Sequence, residues 1–328
     1  MSQETMSNNT IINENYNNNT SSSIILEEVI KEDTKDNNET NDRSKLLDFL
    51  CQNSYPLFII NAIFIVCFFI VLVTLTALYN SNLNYKFWLN QVIKYLLLSF
   101  IQFLMALLVV KKDVKVNYTR KVVHISYFIL PQLLDITIFK YRKDKYTEFW
   151  NVWLILYLLL ILSEHVRKRL KLIDYMFKAV DRPEDRPYTL IWFSSQIIAT
   201  LIIIIPFSVY FSRINKVGLV FIPILINGLA DGLAEPVGIR FGKHKYKTKG
   251  CLSNKEYERS YEGSLCVFIV SNIIVLSYYK YMEHGSYIFN VLTIPSIITF
   301  TEAYAPHTWD SPCIFLVVCS LLSISTLL

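Results

Sequence analysis

Long apolar runs limit what this chain can fold into more than any other feature. From Pro56 onward they lie near 57–79, 87–110, 122–139, 149–164, 190–212, 217–239, 264–282, 286–304 and 311–328. Hydrocarbon offers no partner to backbone N–H and C=O groups, so a run of about 20 apolar residues crosses it as a helix. The pattern predicts an all-α, polytopic integral membrane protein with about nine transmembrane helices over 51–328. The third and fourth runs are short, as in tilted or partly re-entrant helices. Residues 1–50 differ. They are rich in Asn, Ser, Thr and acidic residues and almost lack aromatics, so they read as a disordered polar tail. No basic region leads straight into an apolar run there, which argues against a cleaved signal peptide.

Composition agrees with a membrane solvent: 53% of the 328 residues are hydrophobic and 18% charged. A net charge of +5 is too small to point to nucleic acid. The six cysteines, Cys51, Cys67, Cys251, Cys266, Cys313 and Cys319, show no CxxC or CxxH spacing, so neither a metal site nor a disulfide framework is expected. Lys and Arg concentrate in "KKDVKVNYTRK", "HVRKRLKLIDYMFKAVDRPEDR" and "RFGKHKYKTKGCLSNKEYER". The positive-inside rule puts these loops and the N-terminus in the cytosol, with "KYRKDK" after the third run opposing. The endoplasmic reticulum is the expected membrane.

The sixth run ends in "NGLADGLAEPVGIRFGKHKY". Asn227, Asp231 and Glu235 follow at i, i+4 and i+8, one stripe of a helix. An acid at the bilayer centre costs about 2.5–3.5 kcal/mol, so both acids should face protein or a wet cavity. Gly228 and Gly232 form a GxxxG pair that allows close helix packing, and Pro236 can bend the helix. Beyond them Gly238 and Gly242 allow close backbone approach, among Arg240, Lys243, Lys245, Lys247 and Lys249. Such cations suit a polyphosphate or, equally, anionic lipid headgroups.

Three more groups sit at helix ends on the same face. "TRKVVHISYF" supplies Arg120, Lys121 and His124, which either snorkel or meet phosphate. "RSYEGSLCVF" supplies Glu262, a counter-ion or a metal ligand. "TEAYAPHTWDSP" supplies Glu302, His307, Trp309 and Asp310, the last also placed to cap a helix. Carboxylates for Mg²⁺ and cations for phosphate, beside a lipid surface, are what phosphoryl transfer to a membrane-embedded alcohol requires.

The segments "RKVVHI", "DGLAEPVGIRFGKHKY", "YEGSLCVF" and "EAYAPHTWDSP" resemble the diacylglycerol/polyprenol kinase family, which includes dolichol, phytol and farnesol kinases. The likeness runs from about Asn117 to Pro312. It implies a kinase that transfers the γ-phosphoryl of CTP to an isoprenoid alcohol or to diacylglycerol with a divalent metal. The K-D-x-x-D signature of the related cytidylyltransferases is missing, and "NGLADG" stands where many members have "GDG". In that reading Asp231 is general base or Mg²⁺ ligand, and Glu235 and Glu262 help hold or orient the metal. Arg240, Gly242, Lys243 and Lys245 hold the triphosphate. Arg120, Lys121 and His124 neutralise the transferred group, and Asp310 is a second base or ligand. A transporter is the rival class, because intramembrane acids on a broken helix also mark ion paths. It should carry an inverted repeat, and "DGLAEPVG" has no counterpart.

Overall fold

In the computed structural model the chain is described over 54–79, 85–139, 145–249, 256–306 and 309–328. The polar tail, Cys51, Cys251, His307 and most of "KYRKDK" lie outside the described residues.

Each apolar run falls on a helix. In order these are α1 (Ser54–Tyr79), α2 (Tyr85–Lys112), α3 (Val116–Leu133) and α4 (Lys145–Ile161). Two short helices, α5 (Glu164–Arg169) and α6 (Lys171–Phe177), fill the basic loop before α7 (Thr189–Arg213). Then come α8 (Phe221–Leu225), α9 (Gly232–Phe241), α10 (Tyr261–Ser277), α11 (His284–Tyr304) and α12 (Asp310–Ser325). Five stretches are long and apolar enough to cross a membrane: Phe58–Leu78, Tyr85–Lys112, Val116–Ile138, Thr189–Arg213 and Val217–Phe241. Helices α10 and α12 and the apolar part of α4 are shorter.

The sixth run is a broken element rather than one regular helix. A 3₁₀ turn at Val217–Val220 leads into α8, a π-helical stretch covers Ile226–Asp231, and α9 follows. The break precedes Pro236, which sits inside α9. A second π-helical stretch, Leu134–Ile138, continues α3 after Pro131. Irregular turns of this kind survive in a membrane only where protein surrounds them. Burial agrees: 72% of the apolar window in Val217–Phe241 is inside the bundle, against 11% for Phe58–Leu78. Ile222, Ile226, Val267, Ile294, Ile298 and Ile314 form the core around it.

Close packing follows from the missing Cβ atoms. A Cβ on Gly228 would lie 2.9 Å from Cβ of Phe128, and one on Gly232 would lie 2.5 Å from Cγ1 of Ile125. The GxxxG pair therefore seats the broken element directly against α3.

One segment departs from the all-α expectation. Within the third basic loop, β1 (Lys245–Lys249) and β2 (Glu256–Ser260) form an antiparallel hairpin. "KYKTK" and "EYERS" alternate with period two, and Lys247 faces Glu258 across the ladder. Ser260 then caps α10, its hydroxyl accepting from the Gly263 N–H at 3.1 Å.

Candidate functional site

The break in the sixth run carries Asp231 to the face of α3. Asp231 is buried, and Lys121 Nζ donates to both of its carboxylate oxygens at 3.0 Å and to its carbonyl at 3.1 Å. His124, one turn on from Arg120, places Nε2 3.4 Å from Asp231 Oδ2 and donates to the Asn227 carbonyl at 3.0 Å. The Asn227 side chain does not extend the polar stripe into this network. Both its amide atoms are buried without a hydrogen bond. The wider π turn between Asn227 and Asp231 breaks the α-helical spacing that the stripe assumed.

Glu235 lies one turn beyond. Arg120 Nη2 donates to Oε2, Asn117 Nδ2 donates to Oε1 at 2.8 Å, and Arg182 Nη1 reaches Oε1 at 3.4 Å. Arg182 is fixed in turn by Asp185, with Nε 2.7 Å and Nη2 2.6 Å from one carboxylate oxygen. The loop that carries Arg182 docks on α3 where Thr119 Oγ1 donates to the Ala179 carbonyl at 2.8 Å.

A third group joins the hairpin to the last helices. Arg259 on β2 donates to the carboxylate and carbonyl of Glu302 and lies 3.6 Å from Asp310 Oδ2. Burial alone would lower the Arg259 pKa, but Glu302 and Asp310 raise it above its ordinary value. Ser264 Oγ donates to Glu302 at 3.4 Å.

Arg120, Lys121, His124, Asp231 and Asp310 thus line the charged end of one cavity of about 220 Å³. Its remaining walls are mostly apolar, among them Leu158, Ile197, Leu201, Ile204, Ile224 and Phe315. Such a cavity can hold an amphiphile, with an oxygen-bearing head at the cations and a hydrocarbon tail along the walls.

The other expected residues lie apart from this cavity, around the hairpin. Glu262 Oε1 accepts from the backbone N–H of Lys243 at 3.0 Å and of His244 at 3.3 Å, and meets His244 Nδ1 at 3.0 Å. Lys245 pairs with Glu258 at 2.8 Å. Arg240 and Lys243 are exposed. The space beside Gly238 and Gly242 is taken by Ser260, whose Oγ would lie 2.7 Å and 2.8 Å from Cβ atoms built there.

Among the described residues no three His, Cys, Asp or Glu side chains are grouped to hold a metal ion, so Asp231, Glu235 and Glu262 do not form a ready cage. Mg²⁺ at a nucleotide commonly uses one or two carboxylates plus phosphate oxygens. Asp231 and Asp310, the two carboxylates lining the cavity, fit that need.

Sequence reasoning missed Asn117, Arg182, Asp185 and Arg259 as members of the site. No protein-family model matches this chain, and neither a curated protein nor a solved structure does.

Proposed function

We propose that this protein is a membrane-embedded kinase that transfers the γ-phosphoryl of CTP to the hydroxyl of an isoprenoid alcohol. The observation that carries the reading is the cavity, with three basic residues and two carboxylates at one end and apolar walls beyond. CTP and the isoprenoid class come from the family resemblance in the four quoted segments. In this reading all nine apolar runs cross the membrane, that of the endoplasmic reticulum, with the N-terminus and the charged end of the cavity in the cytosol.

The alcohol would rest its tail on α4 and α7, with its hydroxyl beside Asp231. Its oxygen attacks the γ-phosphorus in line, and the bond from that phosphorus to the β-bridging oxygen breaks. CDP leaves, and Asp231 takes the hydroxyl proton. Arg120 and Lys121 offset the charge on the transferred group, and Arg182 holds Glu235 so that Arg120 stays at the mouth. Bound Mg²⁺ would neutralise phosphate oxygens, held by Asp310 with Asp231 left as base. Apolar walls exclude the water that would otherwise compete as acceptor.

The test is an activity panel on purified protein in detergent. Farnesol, geranylgeraniol, phytol, dolichol and diacylglycerol are offered with CTP, ATP, UTP or GTP and Mg²⁺. Alcohol-dependent release of CDP with formation of a prenyl phosphate is expected. A transporter would consume no nucleotide with any alcohol, and that result would overturn the proposal.

A further inference from the structure

A second buried polar cluster lies where the charges of the site do not reach. Lys94 on α2 is fully buried and sits 2.6 Å from Asp135 Oδ1. Asp135 belongs to the π-helical stretch Leu134–Ile138. Asn151 on α4 joins both, accepting from Lys94 at 2.8 Å and donating to Asp135 Oδ2 at 3.1 Å. Asn90 donates to the other Asp135 oxygen at 2.6 Å. An ion pair costs more to bury than apolar side chains of the same volume, so helix packing alone does not call for one. Charged groups within membrane helices mark functional positions by default.

The cavity gives the cluster a use. Asn151 and Gln132, the latter two residues before the π-helical stretch, both line it at the end away from Asp231. Three walls measure the same depth. Arg120 to Gln132 on α3, Phe149 to Leu162 along and just past α4, and Phe193 to Ser208 on α7 each span about 18–22 Å at about 1.5 Å per residue. The space is therefore about 20 Å long, with the charged residues at one end and Asn151 and Gln132 among the lining at the other.

We infer that the Lys94–Asp135–Asn151 cluster is the floor of the acceptor cavity and limits the length of the alcohol tail. A hydrocarbon end cannot replace the hydrogen bonds that hold this cluster together, so the chain stops there. An extended chain advances about 1.2 Å per bond, so the depth takes about 16 bonds, or three to four isoprene units at about four chain bonds each. Alcohols of the farnesol and geranylgeraniol size fit. A dolichol-length chain does not. This rests on the lipid-kinase reading, and its test is built to fail separately.

Two readouts are taken with farnesol, geranylgeraniol and dolichol on full-length protein in detergent. One is CTP-dependent phosphorylation, and the other is the thermal shift each alcohol causes without nucleotide. Ser208→Phe on α7 and Val152→Phe on α4 each plug the deep end from a different wall. Each should shift the geranylgeraniol-to-farnesol ratio at least tenfold toward farnesol in both readouts. Lys94→Met with Asp135→Leu removes both charges together and should let longer chains bind. A folded Lys94→Met/Asp135→Leu variant whose length profile matches the unaltered protein overturns the inference, because a purely structural cluster would leave the profile alone. If one plug variant does not fold, the other decides. Length-dependent thermal shifts that move in the variants, with no phosphorylation of any alcohol, would uphold the floor and overturn the kinase. Thermal shifts without length dependence would overturn the floor whatever the activity.

Discussion

Lys121 and Asp231 form a buried ion pair, with the ammonium nitrogen 3.0 Å from each carboxylate oxygen. The pair ties α3 to the broken sixth element at the point where the cavity begins. It therefore has two separable consequences, one for folding and one for chemistry. Asp231→Asn should lower turnover per folded molecule by two or more orders of magnitude, about 2.7 kcal/mol or more of transition-state stabilisation. It should also lower the thermal midpoint, because Lys121 is left buried without its counter-charge. Adding Lys121→Met removes the second charge and should recover stability without recovering turnover. Near-unaltered turnover per folded Asp231→Asn molecule would end the catalytic assignment.

Glu235 makes a different prediction, because Arg120 and Arg182 both point at it. Glu235→Gln leaves these arginines facing each other with less opposing charge. Its side chain is 21% exposed, so the loss should be about 1–3 kcal/mol, below that of a fully buried pair. If the arginines form a phosphate site, CTP should raise the thermal midpoint of Glu235→Gln more than that of the unaltered protein. An equal or smaller rise would remove phosphate binding from this cluster.

Gly232→Ala tests the packing between the sixth element and α3. The new methyl would meet Ile125 Cγ1 at 2.5 Å, an overlap that costs about 1–3 kcal/mol where neighbours are fixed. Ile125→Ala in the same chain should return part of the loss. Gly218→Ala, with nothing within 4 Å of the new atom, should change the midpoint little. Equal midpoints for the two alanine variants would contradict the close approach.

Orientation has its own readout. Asn117 donates to Glu235 at 2.8 Å inside the site, and the proposed orientation keeps its sequon in the cytosol. Asn8, Asn18, Asn19 and Asn38, outside the described residues, should share that side. All should stay unglycosylated in a secretory-pathway membrane. A glycosidase-sensitive mass shift mapped to any of them would reverse the assigned topology.

The helices were legible because hydropathy reports a local fact, the need of each backbone group for a partner. The same locality made Gly228 and Gly232 readable, since a missing Cβ means close approach wherever the neighbour is. The grouping of Arg120, Lys121, His124, Asp231 and Asp310 was legible from shared helix ends. Arg182 and Arg259 were not, because their roles depend on Glu235, Glu302 and Asp310, far away in the chain. The π-helical stretch at Ile226–Asp231 was hidden too: one widened turn leaves the apolar pattern intact while re-aiming Asn227. The hairpin also leaves a signal in the sequence. "KYKTK" has strand periodicity, but its charges drew it into the positive-inside count.

That hairpin carries the last prediction. Lys245 is exposed and hydrogen-bonds Glu258 at 2.8 Å, which holds the Glu258 carboxyl below its usual range. The Lys243 side chain is exposed, and its backbone N–H is already given to Glu262. Neither lysine lines the cavity, so a nucleotide would touch them only with its phosphates at the charged end and its remainder over the hairpin. Changing both to Gln removes two cations without touching the buried site, and the fold should persist. If the hairpin receives the nucleotide, the apparent KM for CTP should rise about tenfold, about 1.4 kcal/mol, with kcat changing less. If the lysines meet only anionic headgroups, the KM for CTP should stay put, while binding to vesicles rich in anionic lipid weakens. An unchanged KM in well-folded protein would remove Lys243 and Lys245 from the nucleotide site and leave Arg120, Lys121 and Arg182 as its cations.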